Sequence, residues 1–301
     1  MSRTITVGLD GSPESRAAAE WAAREAKLRG LPLRLLHVWE PVPEPMARAP
    51  LLGAETHRHW SEKIPRETAE GLRLRHPGVE VTAGHRTGRP SEVLGEVAST
   101  TELLVLGSRG LSGLGGFMVG SVGLAVVARA ACPVVLVRAG EQAADEHEMD
   151  PAGIPSAATP YRPVLLGIDA GHPDASVIEF AFDEAARRGT GLHVVHAWNL
   201  PPYYVYGAVT DLEQYDAVVQ WQATELTEAL RPWREKYPSV EAVAVSRSGS
   251  PAEHLITASR EASLVVVGRR IRRSPFGVHI GPVTHAVLHH AAAPVAVVAH
   301  V

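Results

Sequence analysis

Short, continuous apolar runs alternate along the chain with longer stretches in which apolar residues recur every three or four positions. Continuous runs are typical of strands buried on both faces, and the longer period is typical of amphipathic helices. In the first half the pattern predicts strands at 4–9, 33–39, 79–85, 103–106 and 134–137, with helices at 13–30, 56–75 and 91–99 and another beginning at Gly120. This alternation predicts a doubly wound, Rossmann-like α/β domain with a parallel sheet covered on both faces.

The second half repeats the first. The segment 7–11, VGLDG, returns as LGIDA at 166–170, an offset of 159 residues, and LVLG at 104–107 returns as VVVG at 265–268, an offset of 161. An offset that changes by only two residues indicates a duplicated domain and not a short-period solenoid. We therefore expect domains at 1–140 and 161–301, joined by a linker at 141–160 that is rich in acidic residues and proline.

A glycine-rich loop follows the fourth apolar run. Residues 107–121 read GSRGLSGLGGFMVGS, which reduces to Gly107-x-x-Gly110, nine residues, then Gly120-Ser121. A loop of this kind between a buried strand and a helix exposes backbone N–H groups that can surround phosphate oxygens. The alternative is a flexible linker, but linkers seldom connect a buried strand directly to a helix.

Asp10 lies at the carboxyl end of the first predicted strand, and Gly107 lies at the end of the fourth. In open α/β sheets, ligands bind at the carboxyl ends of the strands where the strand order reverses. If these strands are neighbours, Asp10 faces the loop, where its carboxylate can accept from a ribose hydroxyl or hold a metal-bound water. Asp10 as a simple turn cap and Arg109 as a solvated surface charge are the structural alternatives. Together these features predict a nucleotide site.

Composition and charge narrow the class of protein further. A net charge of −4 and a pI near 6.4 do not support a nucleic-acid partner. No apolar run reaches the roughly 18 residues of a membrane span, and the N-terminus lacks the apolar segment of a signal peptide. The single cysteine, Cys132, excludes an intrachain disulfide and fits a reducing compartment. We expect a cytoplasmic protein with a buried, unreactive Cys132.

The spaced glycine motif, with an aspartate at the end of the first strand, resembles the ATP-binding pattern of the universal stress protein family. The tandem arrangement is similar to the two-domain members common in actinobacteria, and the resemblance covers 3–138 and 162–299. It implies, for each domain, an adenine nucleotide alpha hydrolase-like sheet of five parallel strands in the order 3-2-1-4-5. It also implies that ATP, with or without Mg²⁺, binds residues in the first half: Gly8, Leu9, Asp10, Val38, Leu106, Gly107, Arg109, Gly110, Gly120, Ser121 and Val122.

The family resemblance also implies roles for these residues. Asp10 would contact the ribose or adenine side, and the backbone around Val38 would recognise the edge of the adenine. The residues from Gly107 to Val122 would surround the phosphates and the ribose.

The corresponding loop of the second half departs from this pattern. Ile271 stands where the family has its second glycine, and Pro282 stands where it has serine. A β-branched residue disfavours a left-handed backbone and obstructs a phosphate, and proline lacks both the hydroxyl and the N–H donor. Arginines at 269–273 either bind phosphate through their side chains or form a solvated basic loop. We expect weak ATP binding or none here, with these candidate contacts: Asp169, Ala197, Gly268, Arg269 and Gly281.

Catalytic signatures are weak. The chain has no Walker motif, and the Gly107 loop contains no lysine to neutralise a transferring phosphoryl group. The sequence predicts a non-enzymatic, ATP-binding regulator or sensor in a stress or dormancy response, read by an unidentified protein partner. A slow ATPase or other nucleotide-processing enzyme is one alternative, and a dimeric scaffold stabilised by nucleotide is another. The valine-rich last strands, 134–137 and 295–298, favour a homodimer.

Overall fold

The structure, a computed structural model, describes residues 3–40, 54–108, 120–199, 212–271 and 280–301. The chain forms two compact units, 1–142 and 143–301. The first unit contains strands β1 (Ile5–Leu9), β2 (Leu33–Trp39), β3 (Val81–Thr87), β4 (Leu103–Ser108) and β5 (Val134–Arg138). Its helices are α1 (Pro13–Arg29), α2 (Ala54–Arg75), α3 (Pro90–Val97) and α4 (Ser121–Arg129).

These five strands form a parallel sheet in the order β3-β2-β1-β4-β5, which confirms the predicted order. Val7 on β1 is in register with Leu35 on β2 and Val105 on β4, and all three are fully buried. After β3 the chain crosses to the other side of β1 to form β4. The strand order therefore reverses between β1 and β4, where an α/β sheet binds its ligand.

The second unit repeats this plan. Its strands are β6 (Val164–Ile168), β7 (Leu192–Trp198), β8 (Ala242–Ser248), β9 (Leu264–Arg270) and β10 (Val295–His300). They are parallel in the order β8-β7-β6-β9-β10. The accompanying helices are α5 (Ala175–Arg188), α6 (Leu212–Lys236), α7 (Pro251–Ala258) and α8 (Pro282–His290), with a short 3₁₀ helix at Ser259–Glu261.

The ends of α1 follow from local sequence. The Ser12 hydroxyl accepts from the Ser15 N–H, Pro13 occupies the first turn, and Gly30 ends the helix with φ of 62°. Serine at the N-cap, proline in the first turn and glycine after the last turn are the residues that favour these helix ends, so the local sequence accounts for both. Strand β3, in contrast, begins at Val81 and not at the predicted residue 79. The Val79 N–H donates to the carbonyl of His76, so residue 79 still belongs to the turn after α2.

Residues 143–160 lie within the predicted linker segment and belong to the second compact unit. A 3₁₀ helix at Ala143–Glu146 is followed by antiparallel bridges that pair His147 with Tyr161 and Met149 with Pro155. The Asp150 carboxylate accepts the N–H groups of Ala152 and Ile154, which closes the turn between them. Hydrogen bonds to a side-chain carboxylate thus order a segment with few apolar anchors.

Each unit buries a charged pair in the helix after its first strand. Glu25 and Arg29 on α1 are joined at 2.5 Å, and Glu184 and Arg188 on α5 form the same pair 159 residues later. At most 5% of any of these side chains is exposed. The apolar periodicity of the sequence does not reveal such pairs. The recurrence of Glu and Arg four residues apart in both copies does reveal them. Among the described residues, no helix combines the length and apolar character needed to cross a membrane.

Candidate functional site

A cavity of about 320 Å³ lies in the first unit at the carboxyl ends of β1 and β4. The structure places nine of the predicted site residues in its lining: Gly8, Leu9, Asp10, Val38, Leu106, Gly107, Gly120, Ser121 and Val122. Arg109 and Gly110 lie outside the described residues. Ser12, Glu14 and Ser15, at the start of α1, also line the cavity although the glycine motif does not include them.

Gly107 is packed against the first turn of α1. A Cβ atom at this position would lie 2.6 Å from the carbonyl carbon of Glu14 and 2.7 Å from the nitrogen of Ser15. Both neighbours are backbone atoms, so no rotamer change could relieve the contact. Glycine is therefore required here by the close approach of β4 to α1.

The Asp10 carboxylate lies at the mouth of the cavity. Its Oδ1 accepts from the N–H of Ser12 at 3.0 Å and from the Ser12 hydroxyl at 2.5 Å. Ser12 in turn caps α1 through the Ser15 N–H at 3.1 Å. Asp10 therefore orders the β1–α1 turn and lines the cavity at once, so its two interpretations do not exclude each other.

Helix α4 begins at the cavity wall. Gly120 is extended, with φ of −61° and ψ of 153°, and has no side chain with which to cap the helix. The first turn contains no acidic residue, and Ser121 is exposed. Since the first N–H groups of a helix lack intrahelical partners, the start of α4 is an electropositive surface suited to an anion.

The second unit has a larger cavity, of about 720 Å³, at the equivalent edge of its sheet. Of the candidate contacts in this unit, Asp169, Ala197 and Gly268 line the cavity, whereas Arg269 and Gly281 are not among its lining residues. Side chains alternate across a strand, and it is Arg270 that lines the cavity, whereas Arg269 is buried with 4% exposure. Burial lowers the pKa of Arg269. Gly281 is the cap residue of α8.

The positions equivalent to the predicted phosphate contacts of the first unit are changed in the second. Pro282 begins α8 and has no N–H, and the Thr284 hydroxyl donates to the carbonyl of Gly268 at 2.8 Å. The Ile271 N–H donates to the carbonyl of His300 at 2.6 Å. At Pro282, at Ile271 and at the Thr284 hydroxyl, the donors are therefore missing or already engaged.

Each unit is thus a doubly wound α/β domain with a cavity at the point where its strand order reverses. The family model described as Universal stress protein family matches residues 1–138 and 160–299. The universal stress protein Rv2005c of Mycobacterium tuberculosis is 35% identical over 309 residues, covering 97% of this chain and 96% of that protein. A universal stress protein of Mycolicibacterium smegmatis is 33% identical over 304 residues, covering 98% and 96%. The chain belongs to the universal stress protein family.

A solved structure supports the fold over the full length. The universal stress protein from Archaeoglobus fulgidus superimposes with a TM-score of 0.67 at 17% sequence identity, and 99% of each chain is covered. At this identity the similarity concerns the fold alone. It confirms that the tandem α/β arrangement predicted from the repeat is that of the family.

Proposed function

We propose that the first unit binds ATP and that the protein is a nucleotide-dependent regulator in a stress or dormancy response. One observation carries the proposal: the close approach of Gly107 to α1 and the side-chain-free start of α4 meet in one cavity. Glycine backbone at 107 and 120 forms part of the wall where an anion would lie, as in phosphate sites on α/β folds.

The charged side chains that line the first cavity would orient the ligand. Asp10 and Glu14 place carboxylates on the β1 side of the cavity, where a phosphate would be repelled and ribose hydroxyls could donate. Ser121 and Val122 supply N–H groups and a hydroxyl on the α4 side. The phosphates therefore lie toward α4, the ribose toward Asp10, and the base beside Val38.

If Mg²⁺ accompanies ATP, the protein would supply few of its ligands. The described residues contain no group of three or more His, Cys, Asp or Glu side chains placed to hold a metal ion. Mg²⁺ commonly binds through substrate phosphates, water and one or two carboxylates. In this proposal the ATP phosphates supply most of its ligands, and they arrive with the nucleotide.

The regulatory step would follow from occupancy. ATP bound at Gly120 and Ser121 would distinguish an occupied from an unoccupied form of the protein, and a partner protein would recognise one of the two. Homodimerisation belongs to the same proposal. Light scattering with and without ATP tests the dimer, and affinity capture with and without ATP tests the partner.

The decisive experiment identifies the nucleotide. The protein is purified under mild conditions and denatured, and the released nucleotide is analysed by mass spectrometry. One ATP per chain is expected, and calorimetric titration of the stripped protein should give the same stoichiometry. Absence of any bound or titratable nucleotide would refute ATP binding, while phosphate release abolished by Gly120→Arg would favour the slow ATPase instead.

A further inference from the structure

The peptide group that joins Leu9 to Asp10 lies at the end of β1, between two residues that line the first cavity. Its carbonyl oxygen lies 2.8 Å from Nδ1 of His37 on the neighbouring strand β2. A carbonyl oxygen only accepts, so Nδ1 carries the proton and donates it. The N–H of the same peptide donates to the Ser15 hydroxyl oxygen at 3.5 Å. Side chains from β2 and α1 therefore hold both polar atoms of this peptide.

The Asp10 carboxylate is held as well. Its Oδ1 accepts from the N–H and from the hydroxyl of Ser12, so backbone and carboxylate are both fixed before a ligand binds. A group that is already ordered loses little conformational freedom on binding, which increases affinity. His37 is not among the residues that line the cavity. It therefore acts on a ligand through Leu9 and Asp10 and not by direct contact.

The second unit has a histidine at the equivalent position, His196, 159 residues later. Its Nδ1 lies 3.2 Å from the carbonyl oxygen of Ile168 and 3.2 Å from the nitrogen of Ala170. Its Nε2 donates to the Gln222 side-chain oxygen at 2.6 Å, so the neutral ring accepts from the Ala170 N–H through Nδ1. In this arrangement Nδ1 does not donate to the carbonyl. The bond that His37 makes is therefore a property of the first unit.

We propose that His37 is a positioning residue that strengthens the preference of the first cavity for nucleotides with an intact ribose. By holding the Leu9 carbonyl, it keeps the Asp10 carboxylate where the ribose hydroxyls can donate to it. The inference rests on the proposed function, which places the ribose of ATP beside Asp10.

The two ends of the nucleotide should respond differently to a change at His37. In the proposed function the phosphates contact the start of α4, which is a separate element from β1 and β2. Loss of the His37 bond should therefore weaken the ribose contacts more than the phosphate contacts. A general loss of stability would instead weaken every nucleotide alike.

Calorimetric titration of the full chain with ATP and with 2′,3′-dideoxyATP, which lacks both ribose hydroxyls, tests this role. The parent should prefer ATP about 10- to 100-fold, because hydrogen bonds to a charged carboxylate are absent with the dideoxy nucleotide. His37→Ala should weaken ATP binding about three- to tenfold, the factor of one ordinary hydrogen bond, and should leave the dideoxy nucleotide nearly unchanged. His37→Asn, whose amide N–H can take the place of Nδ1–H, should restore most of the loss.

His85→Ala is the matched control. His85 is in register with His37 on the neighbouring strand β3, but it is exposed and does not line the cavity. Its replacement should leave both affinities unchanged. Urea unfolding of each variant, measured alongside, verifies that the protein is folded during the titration.

The proton on Nδ1 is tested in the parent without any nucleotide. Nitrogen-15 NMR of the folded protein should show Nδ1 of His37 protonated, and a proton on Nε2 alone would overturn the inference whether or not the variants fold.

The titrations separate this inference from the proposed function. A parent that binds no ATP refutes the proposed function, and the inference that rests on it falls as well. If the parent binds ATP, four results overturn the inference alone. These are unchanged ATP affinity in His37→Ala, an equal loss for both nucleotides, no recovery in His37→Asn, and a parent that does not distinguish the two nucleotides.

Discussion

Gly107 and Ser15 approach so closely that a Cβ on Gly107 would lie 2.7 Å from the Ser15 nitrogen. The end of β4 and the first turn of α1 are therefore fitted to each other at the wall of the candidate ATP site. The distance is shorter than any relaxed carbon–nitrogen contact, and both elements belong to the buried framework of the first unit. A change at either residue thus affects the fold and the cavity together.

Gly107→Ala should destabilise the protein by about 1–3 kcal/mol, the usual cost of overpacking, and should weaken ATP binding. Urea unfolding and calorimetric titration measure the two effects. Gly268→Ala is the matched control in the second unit. There the new Cβ would lie 2.9 Å from the imidazole of His300, a side chain that can rotate away, so a smaller loss is expected. Equal losses would contradict the argument from backbone contact.

Ser121→Pro gives the first unit the proline that the second unit has at the equivalent position, Pro282. Folding should be little affected, because proline is well tolerated at the first position of a helix and α8 begins with Pro282. ATP affinity should fall about 10- to 100-fold, since a hydroxyl and an N–H donor to a charged ligand are lost. Titration checks this, and Pro282→Ser is the reciprocal variant. It should not create ATP binding on its own, because Ile271 still stands where the first unit has glycine, and its N–H remains engaged with the carbonyl of His300.

Glu184→Gln should cost about 3–5 kcal/mol, because a neutral amide no longer compensates the buried charge of Arg188. The unfolding midpoint in urea measures the loss. Glu70→Gln is the matched control: Glu70 pairs with Arg66 at the same four-residue spacing, but both side chains are mostly exposed. Its effect should stay within about 1 kcal/mol. A small effect of Glu184→Gln would show that the buried pair is dispensable.

Cys132 should react slowly with iodoacetamide in the native protein. Burial raises the pKa of its thiol to about 12, so the reactive thiolate is scarce near neutral pH. Mass spectrometry should show little labelling of the native protein over minutes and complete labelling in urea. Rapid stoichiometric labelling without denaturant would contradict the buried environment.

Asp174, the N-cap residue of α5, should contribute a pH-dependent part of the stability. Burial opposes its ionisation, but hydrogen bonds from Ser176 and Val177 hold its folded pKa below the ordinary value of 3.8. The native state therefore binds fewer protons than the unfolded state in this range. The contribution is therefore present above that value and is lost as the pH falls through the folded pKa. Asp174→Asn keeps a capping oxygen but removes the charge. Its difference from the parent in urea midpoint should shrink on acidification, and a constant difference would refute the assignment.

The apolar pattern predicted a parallel sheet, because short continuous apolar runs are typical of strands buried between helices, whereas the order of the strands was implied by the family resemblance. The caps at Ser12 and Gly30 were predictable for a local reason, since each depends on a few adjacent residues. The start of β3 was not predictable from the local sequence, because the turn made by Val79 depends on where α2 ends. Nine predicted residues share the first cavity because strand ends and helix starts converge there.

The second cavity shows where sequence reasoning reaches its limit. The loss of the glycine and serine was evident from Ile271 and Pro282, but the cavity carboxylates Asp174 and Glu225 were not singled out. Glu225 comes from a helix without a recognised motif and enters the cavity only through packing. From the sequence, Arg269 was a candidate contact and Arg270 was not, although Arg270 is the residue that lines the cavity. Adjacent residues of a strand point to opposite faces, so a difference of one residue decides which side chain enters the cavity.

The duplication fixes the ratio of the two cavities. Since both cavities are encoded in one polypeptide, they are synthesised in equal numbers at every level of expression. Changing the abundance of the protein cannot alter the balance between the two sites, and only the concentrations of their ligands can. The relative occupancy of the two cavities therefore depends on their affinities and on ligand concentration, and not on how much protein is made.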